Sequence, residues 1–250
     1  MSTGVLMERI AETSPRRKAR IAGVFYLLTF LTGGVAVPSF RLVVSGDAAA
    51  TATNILAHEP LFRLGFAALL VNVAVYIVVT LLFYELFKPV NRSLSLLAVF
   101  FSLAGCAIQA LAGLFYLAPL VVLGGAPYLS VFKVEQVHAL ALMFFELYAR
   151  AYNIGLVFFG FYCLLIGYLI LRSTFLPRVL GVLMAIAGMA WLTFLSPPLA
   201  NYLSPYNLGV GALGEGSLLL WLLVMGVNAQ RWKEQASAPG EYQTQRAMQR

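Results

Sequence analysis

The sequence predicts an all-α integral membrane protein: a bundle of six transmembrane helices, both termini cytoplasmic, with a short extracytoplasmic surface helix. Three observations lead there. Hydrophobic residues fill 61% of the 250 positions and charged residues only 11%, where soluble domains carry about 25% charge. A soluble fold of this length would lack the residues for a surface. The charges are also clustered, so the intervals between them reach the roughly 20 apolar residues that cross a bilayer. Finally, alternating six spans from a cytoplasmic N-terminus leaves 13 of the 17 Lys and Arg on the cytoplasmic side. Only Arg41, Arg63, Lys133 and Arg150 fall outside, the asymmetry that orients membrane proteins. The net charge of +7 thus belongs to span flanks, and no separate basic module points to nucleic acid as a partner.

Residues 1–20 read as a basic cytoplasmic tail ending in Arg16, Arg17, Lys18 and Arg20, too polar for a cleaved signal peptide. Residues 21–232 form the six-helix domain, and residues 233–250 a disordered cytoplasmic tail. Span one is expected from Ile21 to Phe40, with Pro38 stopping it. In the loop that follows, Asp47 is placed to cap a short helix from Ala48 to Ala57, which Pro60 terminates at the outer surface. Span two, Leu61 to Phe87, carries Asn72 near its middle, and span three, Leu94 to Val122, carries Gln109. After GGAPYLS, a helix is expected from Val134 to Leu171, with any break between Met143 and Arg150. Its last part, from Arg150, is span four. Span five runs from Arg178 to Leu195. Span six runs from Gly211 to Gln230, with Glu215 at its outer boundary behind the Gly-rich NLGVGALGEG.

On this reading the bilayer centre holds only the neutral Asn72 and Gln109, each suited to a hydrogen bond with a neighbouring helix. A charged group at that depth costs about 2.5–3.5 kcal/mol, and its absence argues against proton-coupled transport. Glu85 and Lys88 are expected to pair at the inner end of span two. Cys106 and Cys163 fall mid-span as packing residues, with no CxxC spacing. Tyr26, Tyr116, Tyr148 and Trp232 fall among the aromatic residues near span ends, where an interfacial belt would sit.

The chemistry-bearing residues gather on the outer side. His138, Glu146, Arg150 and Asn153 share one face of the Val134–Leu171 helix, because helical neighbours recur at three, four or eight residues. Glu146 and Arg150 are expected to pair, making Arg150→Ala more destabilising than His138→Ala. The outer loop adds Arg41, Asp47, His58 and Arg63, and span six adds Glu215. A His–carboxylate pair can perform general acid–base work, and two His with one Glu could ligate zinc. No HExxH or other dense ligand motif accompanies them, so neither metal nor cofactor is expected and no catalytic role is assigned.

Several stretches carry a resemblance: RKARIAGVFYLLTFLTGG, SGDAAATATNILAHEPLFRLG, KPVNRSLSLLAVFF, GLVFFGFYCLLIGYLILRSTFLPRVLGVLMAIAG and GEGSLLLWLLVMGV. Together they resemble a family of small bacterial membrane proteins known as domain of unknown function 4386, over most of residues 18–230. GDAAATATNIL and LPRVLGVL are the more specific stretches. The resemblance implies about six spans and brings no reaction, ligand or catalytic residue. With the charge asymmetry, it places the chain in the bacterial cytoplasmic (inner) membrane. Three readings stay open. The first is a membrane-embedded accessory, sensor or ligand-binding protein, partnered by the bilayer and a lipid or small hydrophobic ligand. The others are an integral membrane enzyme with an outward-facing site at His138 and Glu146, and a small permease.

Overall fold

The computed structural model describes residues 14–237. Its helices are α1 Pro15–Phe40, α2 Ala48–Ala57, α3 Glu59–Phe87, α4 Arg92–Leu123, α5 Val134–Arg172, α6 Arg178–Leu192, α7 Pro197–Leu203, α8 Tyr206–Val224 and α9 Ala229–Ser237. Short 3-10 turns lie at Pro127–Leu129 and Thr193–Leu195. Among the described residues, six helices are long and apolar enough to cross a membrane: α1, α3, α4, α5, α6 with the turn that follows it, and α8.

Helix ends follow local chemistry. Ser14 precedes Pro15 and accepts the Arg17 N–H through its carbonyl at 2.8 Å, a start that suits proline because its missing N–H would have had no helical partner. Asp47 caps α2, its Oδ1 accepting from Ala50 N at 2.8 Å. Pro60 ends nothing; it is the second residue of α3, where proline is tolerated for the same reason. Asn91 caps α4 by accepting from Leu94 N at 2.9 Å. α5 runs 39 residues unbroken, the near-continuous helix expected, giving about 58 Å of helix against a hydrocarbon core of about 30 Å.

The last span is shifted from its expected place. It begins at Tyr206 and ends at Val224, not at Gly211 and Gln230. Gly226, at φ +68°, adopts the left-handed conformation that closes helices. The N–H groups of Met225 and Gly226 both donate to the Trp221 carbonyl. Asn228 then starts α9, its Oδ1 accepting from Arg231 N at 3.1 Å. Residues 233–237, expected as disordered tail, are helical. They are held because Gln235 accepts from Thr174 N at 3.0 Å and Trp232 Nε1 donates to the Leu86 carbonyl at 2.9 Å. The rest of the two expected tails, residues 1–13 and 238–250, lies outside the described residues.

The chain folds into two compact units. Among the described residues, the first comprises 14–27, Val78–Leu103 and 157–237. The second comprises Leu28–Ile77 and Ala104–Leu156. Each of α1, α3, α4 and α5 therefore contributes a part to both. In the first unit, α5 and α6 approach closely through Gly167 and Gly181, where a Cβ on either would lie 2.8 Å from the other's carbonyl oxygen. Small residues let membrane helices come that near. In the second unit, Ile55 of α2 packs into a core with Phe62, Tyr116, Phe145 and Tyr148. The Arg41–Arg63 loop is thus tied to its own unit, further fixed by Asn54 Nδ2 donating to the Leu42 carbonyl at 3.1 Å.

Candidate functional site

The first unit contains a buried carboxylate. Glu215 is the tenth of the 19 residues of α8 and is 8% exposed. Gly211, one turn earlier, and Gly214, the residue before it, shape the helix surface nearby. A Cβ on Gly214 would lie 2.5 Å from the Leu183 carbonyl, and one on Gly211 would overlap the Trp191 ring. Only glycine lets the Trp191 indole of α6 lie flat against α8, with its N–H donating to Glu215 Oε1 at 2.7 Å. From α1, the Tyr26 hydroxyl donates to Glu215 Oε2 at 2.5 Å. Phe83 packs edge-on against the Tyr26 ring at 5.5 Å. The Cys163 thiol of α5 lies beside the carboxylate. Four helices thus meet on one carboxyl group, each oxygen satisfied by at least one donor. A group of this kind can lock helix positions, accept a proton or take a cation.

This corrects the sequence reading in two ways. Glu215 is not at a boundary, and mid-helix polar groups are not all neutral. The Gly-rich NLGVGALGEG lies within α8 and permits close helix approach, glycine being common in membrane helices, and Pro205 marks the true start. Tyr26 and Trp191 were missed as partners. Tyr26, Tyr116 and Tyr148 are buried and belong to no interfacial belt, because each ring faces other aromatic side chains or a polar partner.

The second unit is filled differently. The Tyr116 hydroxyl donates to Ser39 Oγ at 2.7 Å, while its ring stacks on Phe62 at 4.4 Å. Tyr148 meets Tyr116 edge-on at 5.1 Å. Asn72 donates through Nδ2 to the Thr29 carbonyl at 2.5 Å and to Thr32 Oγ1 at 3.0 Å, the helix-to-helix role its position suggested. A void of about 10 Å³ lies beside Asn72, Gln109, Tyr148 and Tyr152.

The residues expected on the outer side are engaged locally. Asp47 is used as a cap, the His58 ring Nδ1 bonds the Asn54 carbonyl at 3.1 Å, and Arg63 pairs with Glu59 at 2.7 Å. Glu146, Arg150 and Arg41 are exposed, while His138 and Asn153 are half-buried. Glu146 and Arg150 do not form the expected pair, since both extend from the exposed face of α5. Among the described residues, no group of His, Cys, Asp and Glu is arranged to hold a metal ion.

An uncharacterized protein of Archaeoglobus fulgidus is similar to the chain, with 25% identity over 153 residues, 60% of this chain and 76% of that protein. No solved structure matches. The family described as Domain of unknown function (DUF4386) matches residues 21–226, which span all six apolar helices and the Glu215 cluster but for the first residues of α1. The chain belongs to that family.

Proposed function

We propose that the chain is a membrane-embedded ligand-binding or sensor protein of the bacterial cytoplasmic membrane, with both termini on the cytoplasmic side. One observation supports this reading most: Glu215 and Asn72, both at mid-helix, spend their hydrogen bonds within their own unit. Both Glu215 oxygens accept hydrogen bonds, Asn72 is bound to α1, and the void of about 10 Å³ beside Gln109 has room for about one water. Polar groups used in this way fix helices against one another. A permeation path would need them open to water. The distribution of basic residues supports the orientation. The enzyme reading draws no support from the described residues, where no hydrogen bond or ion pair joins His138 to Glu146.

A small permease is the second reading, and Glu215 favours it, since intramembrane carboxyl groups serve ion and proton pathways. Liposomes containing the full chain and a pH-sensitive dye, held under a proton gradient, separate the two. The binding reading expects the gradient to decay as slowly as in protein-free liposomes. Decay that the wild type accelerates and Glu215→Gln abolishes would make the chain a permease.

A further inference from the structure

One end of the first unit concentrates positive charge. Among the described residues of this unit, ten Lys and Arg flank the ends of α1, α3, α4, α5, α6 and α9, against only Glu85 and Glu234 outside the buried Glu215 cluster. Glu85 is already taken by Lys88 at 2.8 Å and by Lys18 at 4.0 Å. Contacts join these helix ends. Arg20 Nη2 donates to the Val224 carbonyl at 2.9 Å, and Trp232 reaches the Leu86 carbonyl.

A groove of about 570 Å³ opens here, between the first turn of α1, the α5–α6 connection and the break that separates α8 from α9. Its walls are of two kinds. Arg16, Asn228 and Arg231 supply donors, while Trp221 and Met225 supply apolar surface. Both arginines are anchored. Arg16 Nε donates to the Met225 carbonyl at 3.3 Å, and Arg231 Nη1 donates to the Thr174 carbonyl at 3.4 Å. Each contact uses one of five guanidinium N–H donors, so the forks are pre-positioned with donors remaining. Guanidinium forks match phosphate oxygens bidentately. The apolar wall continues along α8 through Leu220, Val224 and Met225, which are 59%, 61% and 51% exposed. Basic donors at one end and an exposed apolar lane at the other match one class of molecule.

We propose that this groove binds the phosphate headgroup of an anionic phospholipid, whose acyl chains lie along α8. The proposal deepens the binding reading above by naming the ligand class. Basic pockets at the end of a helix bundle recognise such headgroups through local charge density that bulk lipid does not provide.

The test uses the full chain in neutral detergent, with retained lipid counted by native mass spectrometry. Phosphatidylglycerol and phosphatidylcholine with the same acyl chains are titrated separately, and inorganic phosphate is added as competitor. The expected preference for phosphatidylglycerol is about thirtyfold, as two surface arginines provide. The double variant Arg16→Gln/Arg231→Gln removes that preference. So does Ala229→Phe, which fills the groove without removing charge and so keeps the test valid if the double variant misfolds. The control Arg17→Gln/Lys233→Gln, equal in charge but outside the groove walls, leaves the preference within about twofold. Equal losses in the control and groove variants, or an unaffected Ala229→Phe, would overturn the site in favour of a diffuse basic surface. Inorganic phosphate competing as strongly as the lipid would overturn the lipid assignment. Either failure leaves the proton-flux result standing, and a positive flux result leaves this binding measurement standing.

Discussion

The two units share the same four long helices, yet their interiors are closed by different chemistry. In the first, one carboxylate draws Tyr26, Trp191 and Cys163 from three other helices. In the second, Tyr116, Phe62, Phe145 and Tyr148 fill the space with stacked and edge-on rings. Aromatic packing gains from area and tolerates small shifts. A buried carboxylate tolerates none, since every donor moved away from it is a polar group stranded in an apolar interior. The first unit is therefore specified by a few directional contacts, the second by many weak ones.

The contrast breaks most sharply at Glu215. Glu215→Ala withdraws the acceptor from both the Tyr26 hydroxyl and the Trp191 N–H. At about 1–3 kcal/mol for each stranded buried donor, the loss of stability is about 2–6 kcal/mol in equilibrium unfolding in detergent. A loss below about 1 kcal/mol would mean that this carboxylate does not close the unit. A matched pair of tyrosines then sharpens the comparison. Tyr26→Phe and Tyr116→Phe delete the same hydroxyl, but the first serves a carboxylate and the second serves Ser39 Oγ. Hydrogen bonds to charged groups are worth about 1.5–3 kcal/mol and neutral ones about 0.5–1.5, so Tyr26→Phe is the more destabilising in thermal unfolding. Equal midpoints for the two variants would erase the distinction. The smallest effect is local to the second unit. Asp47→Ala removes the α2 cap at about 1 kcal/mol. It speeds hydrogen exchange over Ala50–Ala57, and acceleration reaching Tyr116 would show that α2 is coupled to the aromatic core.

Much of this was legible in the residues. The spans show because the bilayer imposes length and apolarity on contiguous sequence. The α2 helix shows because Asp47 caps Ala50 only three residues away. The Asn72 contact was legible in kind, since a lone amide inside a span has little else to bond than a neighbouring helix. The Glu215 cluster was not. Its partners lie 189 and 24 residues away, beyond the reach of any periodicity, and the glycines that admit Trp191 signal a close approach without naming the helix that makes it. The outer stripe failed in the opposite direction. Helical spacing correctly puts His138, Glu146 and Arg150 on one side of α5, but a shared face does not bring side chains into contact.

The arginines of the first helix also bear on how the chain is made. Arg16 and Arg20 complete the carbonyls of Met225 and Val224, 209 and 204 positions later in the chain, and Tyr26 binds Glu215 at the same distance scale. A ribosome adding about 5–20 residues per second needs roughly 10–40 s to cover that interval. For that time the Tyr26 hydroxyl of α1 lacks the carboxylate that it binds in the finished unit. Closure of the first unit therefore waits for α8 to emerge.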